Sequence, residues 1–227
     1  MAQQLTFDLP GKPAHGREDY FISPGNALAV EMLEGWPNWP AQKMVLVGAR
    51  AAGKTHLAQV WATDIGASVT PATRLDQADI PRLAQAPAVI EDVPEIARNT
   101  AAQNALFHLH NLMQAGGIPL LLTADCPPAH WHLSLADLQS RMAATGVITL
   151  PDPDDALLAA VLQKLFADRQ IQVPPSTISY LLKRMDRSFA AASDLVDRLD
   201  QAALSRGGPI SRKLAALVLD KAPSDAP

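Results

Sequence analysis

The chain has 227 residues, 48% of them hydrophobic, and a formal net charge of −4 at pH 7. This length accommodates one α/β domain and a smaller second domain, and the negative charge argues against a broad surface that attracts nucleic acid or anionic membranes. A single cysteine, Cys126, excludes an internal disulfide, and there is neither a signal-peptide pattern nor an apolar run of about 20 residues. The sequence therefore predicts a cytoplasmic protein.

The first predicted element is a flexible arm at residues 1–19, which is polar and contains prolines and glycines. Within the arm, Leu5, Phe7 and Leu9 alternate with other residues as in a short extended strand. An extended peptide of this kind binds by placing alternate side chains in apolar pockets, while Gln4 supplies directional hydrogen bonds. The segment is predicted to be either such a docking peptide or a leader strand that packs on its own domain.

A helical pattern up to Glu34 and a strand at residues 44–47 lead into a phosphate-binding loop of the form G-x-x-x-x-G-K-T. The glycines allow successive backbone N–H groups to face phosphate oxygens, and the helix that begins after Gly53 adds the positive end of its dipole. Lys54 is expected to reach the β- and γ-phosphates, and the Thr55 hydroxyl to ligate Mg²⁺. The expected nucleotide contacts here are Gly48, Ala51, Ala52, Gly53, Lys54, Thr55 and His56.

Further apolar runs at residues 86–90, 118–123 and 147–150 predict three more strands, separated by helical patterns at 101–115 and 135–146. Strands that alternate with helices predict an α/β fold, in which a parallel sheet carries helices on both faces. The second of the predicted strands ends in the acidic pair Glu91 and Asp92. Carboxylates at this position can hold a magnesium-bound water and polarise an attacking water.

Residues 151–155 are rich in proline and aspartate and mark a domain boundary, because four helical segments follow them up to about residue 219. The predicted organisation is an arm at residues 1–19, a nucleotide-binding α/β domain at 20–150 and a small helical lid domain at 151–227.

The motifs in this order resemble the AAA+ proteins of the DnaA group, and within that group the shortened Hda type. Residues 48–55 match the Walker A motif, 89–93 the Walker B motif, 121–125 the sensor 1 segment and 137–141 the box that carries the arginine finger. The resemblance implies a P-loop AAA+ module that is followed by a helical lid and binds ADP or ATP with Mg²⁺.

The resemblance also implies roles for single residues. Arg141 would be a finger that acts in trans on a neighbour's nucleotide, and Asp92 and Asp125 would take part in hydrolysis. Glu91 would hold Mg²⁺ through water together with Thr55, although the family usually has aspartate where this chain has Glu91. The segment that flanks the base is matched by Phe21, Ile22 and Asn26.

The chain departs from the family at the sensor 2 position, where Ala190 replaces the arginine of the lid. Alanine does not reach a phosphate, and Arg187 is the alternative arginine three residues earlier. The loss of this contact is expected to weaken γ-phosphate sensing and to favour a resting nucleotide, with ADP as the expected one.

The resemblance assigns Gln4, Leu5, Phe7 and Leu9 to a peptide that binds the DNA polymerase sliding clamp, and DnaA to the partner on which Arg141 acts. The implied function is an adaptor that promotes hydrolysis of DnaA-bound ATP and so negatively regulates replication initiation. Two alternatives stay open: an autonomous AAA+ ATPase of the helicase-loader type and a non-catalytic tether between clamp and DnaA. A homo-oligomer is possible, and neither membrane association nor sequence-specific DNA binding is expected.

Overall fold

The computed structural model describes residues 21–220, and five parallel strands form the centre of its first part. Their order across the sheet is β2-β3-β4-β1-β5, so the chain crosses from one side of β1 to the other. The predicted fold class is confirmed. The strands are β1 Lys43–Val47, β2 Ser68–Pro71, β3 Ala88–Glu91, β4 Leu120–Ala124 and β5 Gly146–Thr149.

Helices cover both faces of this sheet and then form the rest of the described chain. Those before residue 150 are α1 Ala27–Glu34, α2 Lys54–Ile65, α3 Ile80–Leu83, α4 Thr100–Gly116 and α5 Ala136–Ala143. Those after it are α6 Asp155–Asp168, α7 Pro175–Leu182, α8 Phe189–Arg206 and α9 Arg212–Asp220. None of the helices among residues 21–220 has the length and apolar character needed to cross a membrane.

The sheet is buried on both faces because successive side chains of a strand point in opposite directions. On β1, Val45 and Val47 join a core with residues of α4 and α5, whereas Met44 and Leu46 join a core with residues of α1 and α2. All five residues of β1 are buried, and the four that follow Lys43 form a continuous apolar run. Because the buried strand ends at Val47, the phosphate-binding loop begins at the edge of the sheet.

Two short elements were not expected from the sequence. Strand β2 lies at the edge of the sheet, is only partly buried and ends in Pro71, so it lacks a continuous apolar run. Helix α3 is a single turn that begins after Asp79, whose side chain accepts a hydrogen bond from the Arg82 N–H. Both elements are too short for periodicity to reveal them.

Helices α6 to α9 form a third core, separate from the two on the faces of the sheet. Leu162, Phe166, Leu181, Val196 and Leu199 are among its fully or almost fully buried side chains. Because this core is separate from the two cores of the sheet, the lid packs as a distinct helical unit.

Candidate nucleotide-binding site

The carboxyl ends of β1, β3 and β4 meet at one edge of the sheet, because these strands are parallel and adjacent. This edge and the lid enclose a cavity of about 600 Å³. The sheet side contributes residues from the phosphate-binding loop and from the segments after β3 and β4, including Arg50, Lys54, Thr55, Asp92 and Asp125. A pocket of this size and position is suited to a nucleotide.

The phosphate-binding loop has the backbone that its glycines permit. Gly53 has a φ of +97°, and Ala51 has a φ of +61°, which is uncommon for a residue other than glycine. The Lys54 ammonium group is buried and donates hydrogen bonds to the carbonyl oxygens of Gly48 and Ala49, at 2.8 and 3.0 Å. Helix α2 begins directly after Gly53, so its N-terminus faces the cavity, as phosphate binding requires.

Both glycines of the loop lie against other parts of the chain. A Cβ atom on Gly48 would approach the Leu150 carbonyl oxygen to 2.7 Å, and one on Gly53 would approach the Phe189 ring to 2.6 Å. In addition, the Phe189 N–H donates to the Ala51 carbonyl oxygen at 3.3 Å. The first residue of α8 therefore connects the lid directly to the loop.

Glu91 and Thr55 form the part of the site suited to magnesium. The Thr55 hydroxyl lies beside the Glu91 carboxylate and acts to lower its pKa, while the Glu91 Oε1 atom is buried and accepts no hydrogen bond from the described residues. Burial raises the pKa of Glu91, and the nearby Asp92 charge adds to this effect. A hydroxyl beside a carboxylate oxygen that receives no hydrogen bond fits a Mg²⁺ site, because Mg²⁺ binds such oxygens together with water and phosphate ligands.

Residues 21–220 contain no group of three or more histidine, cysteine, aspartate or glutamate side chains that could hold a metal ion by themselves. Magnesium at Thr55 and Glu91 would therefore take most of its ligands from water and nucleotide, as it does in other phosphate-transfer sites.

Asp92 and Asp125 line the cavity from neighbouring strand ends. Asp92 has left-handed backbone angles, with φ 54° and ψ 49°, and its N–H donates to the Thr123 hydroxyl at 3.0 Å. Because Thr123 is buried on β4, this bond couples the end of β3 to the next strand. Such backbone conformations are costly and are often found at functional sites.

The three residues expected to flank the base occupy different positions. Phe21 lines the cavity, whereas Ile22 faces a separate small groove between α1 and α2. Asn26 is buried, accepts a hydrogen bond from the Ser23 N–H and donates one to the Phe21 carbonyl oxygen. Asn26 therefore holds the turn that positions Phe21 and is not itself a lining residue. Gly48 and Ala52 are likewise absent from the cavity wall.

The lid side of the cavity contains Ala190 but not Arg187. Arg187 instead forms a salt bridge of 2.8 Å with Asp155 and hydrogen-bonds the Pro153 carbonyl oxygen. The structure thus does not place Arg187 where it would replace the sensor 2 arginine. Lys164, on α6, is the lid residue that brings a positive charge to the cavity.

Several cavity residues were missed in the sequence. They come from the phosphate-binding loop, the segment after β3 and the lid: Arg50, Pro94, Glu95, Leu157, Val161, Lys164, Leu165, Phe189 and Ser193. The spacing of Leu157, Val161 and Leu165 is that of one helix face and could have indicated a surface turned toward another element.

Arg141 lies away from this cavity. Its guanidinium group is 5.3 Å from the centroid of the Phe107 ring, and its charge acts on Lys43, the first residue of β1. The phosphate-binding loop follows the last residue of β1, so Arg141 is near the opposite end of that strand. The predicted clamp-binding residues, Gln4 to Leu9, lie outside the described part of the chain.

Comparison with known proteins adds the following. Residues 154–215 match the family model described as the lid domain of Hda. Domain III of the Thermotoga maritima replication initiation protein DnaA is similar in structure, with a TM-score of 0.78 and 18% identity over 93% of this chain and 98% of that chain. AMPPCP-bound DnaA from Aquifex aeolicus has a TM-score of 0.69 and 16% identity over 86% of this chain and 67% of its own.

The Holliday junction branch migration motor RuvB of Thermotoga maritima has a TM-score of 0.64 and 18% identity over 85% of this chain and 65% of its own. At these identities, the likeness to solved structures shows a shared fold.

Proposed function

The chain is a DnaA-related AAA+ protein of the Hda type, and from this premise we propose that it is an adaptor that promotes hydrolysis of ATP bound to DnaA. In this proposal its own cavity holds ADP or ATP with Mg²⁺ mainly to keep the module in shape. The peptide at Gln4 to Leu9 binds the sliding clamp, and Arg141 acts in the nucleotide site of DnaA. The result is negative regulation of replication initiation.

The position of Arg141 is the observation that carries this proposal. The residue is exposed and does not line the cavity of its own chain. It contacts the Phe107 ring, and no salt bridge with another described residue holds it. An arginine in this situation is available to stabilise charge on the phosphate of a neighbouring molecule.

The features of the chain's own cavity support a binding role over efficient turnover. Ala190 brings no charge from the sensor 2 position, and Arg187 is bound to Asp155. Glu91 is a longer carboxylate than the usual aspartate, which changes its reach to the metal. We therefore propose slow intrinsic hydrolysis, with ADP as the resting nucleotide.

The proposal is tested by measuring hydrolysis of radiolabelled ATP on DnaA in the presence of clamp loaded on DNA. The wild-type chain is expected to accelerate hydrolysis, and Arg141→Ala is expected to abolish the effect, because a finger in trans contributes about 10³-fold or more. Arg74→Ala, which changes an exposed arginine elsewhere on the α/β domain, is the matched control.

The other outcomes separate the alternatives. Unchanged stimulation by Arg141→Ala would contradict the finger mechanism. A wild-type chain that binds clamp and DnaA without changing turnover would be a tether. Rapid hydrolysis by the chain alone, lost in Lys54→Ala, would favour an autonomous ATPase. A double variant, Leu5→Ala and Phe7→Ala, is expected to lose stimulation only in reactions that depend on the clamp.

A further inference from the structure

Two arginine side chains lie over the Tyr180 ring on the lid, each arginine has a lysine as its chain neighbour, and none of these four residues lines the nucleotide cavity. The guanidinium carbon of Arg184 is 4.0 Å from the centroid of the Tyr180 ring, and that of Arg212 is 4.8 Å from it. Lys183 and Lys213, the chain neighbours of these arginines, are exposed. We call these five residues the lid basic cluster.

The stacking leaves the arginines able to bind an anion. A guanidinium group that lies over an aromatic ring uses its flat face for the contact. The Arg184 Nη1 atom also donates a hydrogen bond to the Tyr180 carbonyl oxygen at 3.5 Å, and the other N–H groups of Arg184 remain for an anion. Arg184 and Arg212 are both exposed, and Tyr180 is half-buried. The ring therefore holds two fork-shaped donors on the lid surface at little further entropic cost when they bind a partner.

No salt bridge among the described residues involves a cation of this cluster. The salt bridges found among residues 21–220 join Arg169 to Asp197, Arg187 to Asp155 and Arg198 to Asp194, so no cation of the cluster takes part. Such a concentration of positive charge is unexpected in a chain with a net charge of −4.

The helix geometry adds to the positive potential. Arg212 and Lys213 are the first two residues of α9, and its first turn contains no acidic residue. The N-terminus of a helix is the positive end of its dipole, where acidic side chains are favoured and basic ones are disfavoured. The Ser211 hydroxyl accepts a hydrogen bond from the Leu214 N–H at 3.3 Å, so the helix end is ordered at this place. An anion that binds here would relieve the repulsion between these basic side chains and the positive end of the helix dipole.

We propose that the lid basic cluster binds the phosphate backbone of DNA. Exposed arginines that keep several N–H donors suit phosphate oxygens, which accept bidentate hydrogen bonds from them. A membrane surface is the less suitable partner, because the large exposed hydrophobic residues of the described chain (Phe21, Ile22, Leu28, Leu112, Val147 and Leu204) include none on α7 or α9. Phosphate contacts carry no sequence information, so the proposed binding is independent of sequence. It is also independent of the proposed ATPase role.

Fluorescence anisotropy with a labelled duplex of about 30 base pairs tests this proposal on the full chain. The double variant Arg184→Gln and Arg212→Gln is expected to weaken binding at least tenfold. The slope of the logarithm of the binding constant against the logarithm of salt concentration is expected to fall by about two, since each phosphate contact contributes about 0.9. The control is Arg74→Gln with Arg82→Gln, which removes two exposed arginines from the α/β domain and should change affinity less than twofold.

Three results would overturn the proposal. The first is the absence of measurable duplex binding by the wild-type chain at about 50 mM salt. The second is equal weakening in the lid and control variants, which would mean that only total charge matters. The third is cluster-dependent binding to phosphatidylglycerol vesicles that is tighter than binding to DNA. Circular dichroism of the variants provides the folding check, and all four replaced side chains are exposed.

Discussion

Lys43 is a charged residue in a position where burial normally selects an apolar one. It is the first residue of β1, is 9% exposed, and its ammonium group donates a hydrogen bond to the His110 Nε2 atom. The His110 Nδ1 atom lies 3.2 Å from the Asn111 side-chain oxygen, which suits a neutral ring protonated at Nδ1. Burial, and then the charge of Arg141, lowers the pKa of Lys43 to about 8. Burial likewise lowers the pKa of His110.

This environment predicts an unusual pH dependence of stability. Between pH 8 and the ordinary pKa of 10.5, the unfolded chain binds a proton at Lys43 that the folded chain has released. The free energy of unfolding contributed by this residue therefore rises with pH over that interval. Urea unfolding from about pH 7 to about pH 10 is expected to show that Lys43→Met loses this rise relative to wild type.

Lys183→Met is the control, because Lys183 is exposed. This variant should keep the pH dependence of the wild-type chain. Parallel curves for Lys43→Met and wild type above about pH 8 would mean that the buried ammonium group keeps an ordinary pKa.

At the scale of elements, Asp154 joins the start of the lid to the segment that precedes α1. Its Oδ1 atom accepts a hydrogen bond from the Leu157 N–H at 2.8 Å and so caps α6. Its Oδ2 atom accepts one from the Gly25 N–H at 3.1 Å. The bond from Leu157 is the main reason why the pKa of Asp154 is lowered, so its stabilising contribution is present above pH 3.8 and is lost as the pH falls through the lowered pKa.

Two substitutions of Asp154 separate its contacts. Asp154→Ala removes both and is expected to lower the free energy of unfolding by about 1 kcal/mol, the usual loss for an N-cap. Asp154→Ser keeps a capping hydroxyl but is too short to reach Gly25, so it should keep most of the stability. Hydrogen exchange should show faster exchange of the Gly25 amide in both variants. Equal protection of that amide in wild type and Asp154→Ala would disprove the link.

At the scale of the whole molecule, the nucleotide cavity is shared by two units with separate cores. The phosphate-binding loop forms one side, and residues of α6 and α8 form the other, with Phe189 in contact with Gly53. A ligand that contacts both units should stabilise them together, because it binds the folded arrangement and not the unfolded chain.

Thermal unfolding with added nucleotide tests this coupling. ADP with Mg²⁺ at about 100 times its Kd is expected to stabilise the wild-type chain by about 2.7 kcal/mol and to raise the Tm of one joint transition. Lys54→Ala removes the principal phosphate contact and should show little or no rise at the same concentrations. A rise of equal size in both proteins, or a rise in only one of two resolved transitions, would contradict the shared cavity.

Much of the fold could be predicted from the sequence because its signals are local. The buried strands are short apolar runs, and the loop from Gly48 to Thr55 is defined by eight consecutive residues whose backbone requirements are local. The predicted bounds of α4 differ from the observed Thr100–Gly116 by only one residue at each end. The observed ends are set locally, since Asn99 caps the helix and Gly117 ends it in a left-handed conformation. Edge strand β2 was missed since partial burial leaves no such pattern.

The sequence by itself determined the order of the motifs along the chain, the phosphate-binding loop and the helical nature of the second part. The tertiary structure decided which distant residues meet. It brought Phe189 onto Gly53, bound Arg187 to Asp155, and set Arg141 beside Phe107 at the far end of β1. The reason is physical: a loop or a strand depends on the conformations of neighbouring residues, whereas these contacts depend on how elements that are distant in the sequence pack against each other.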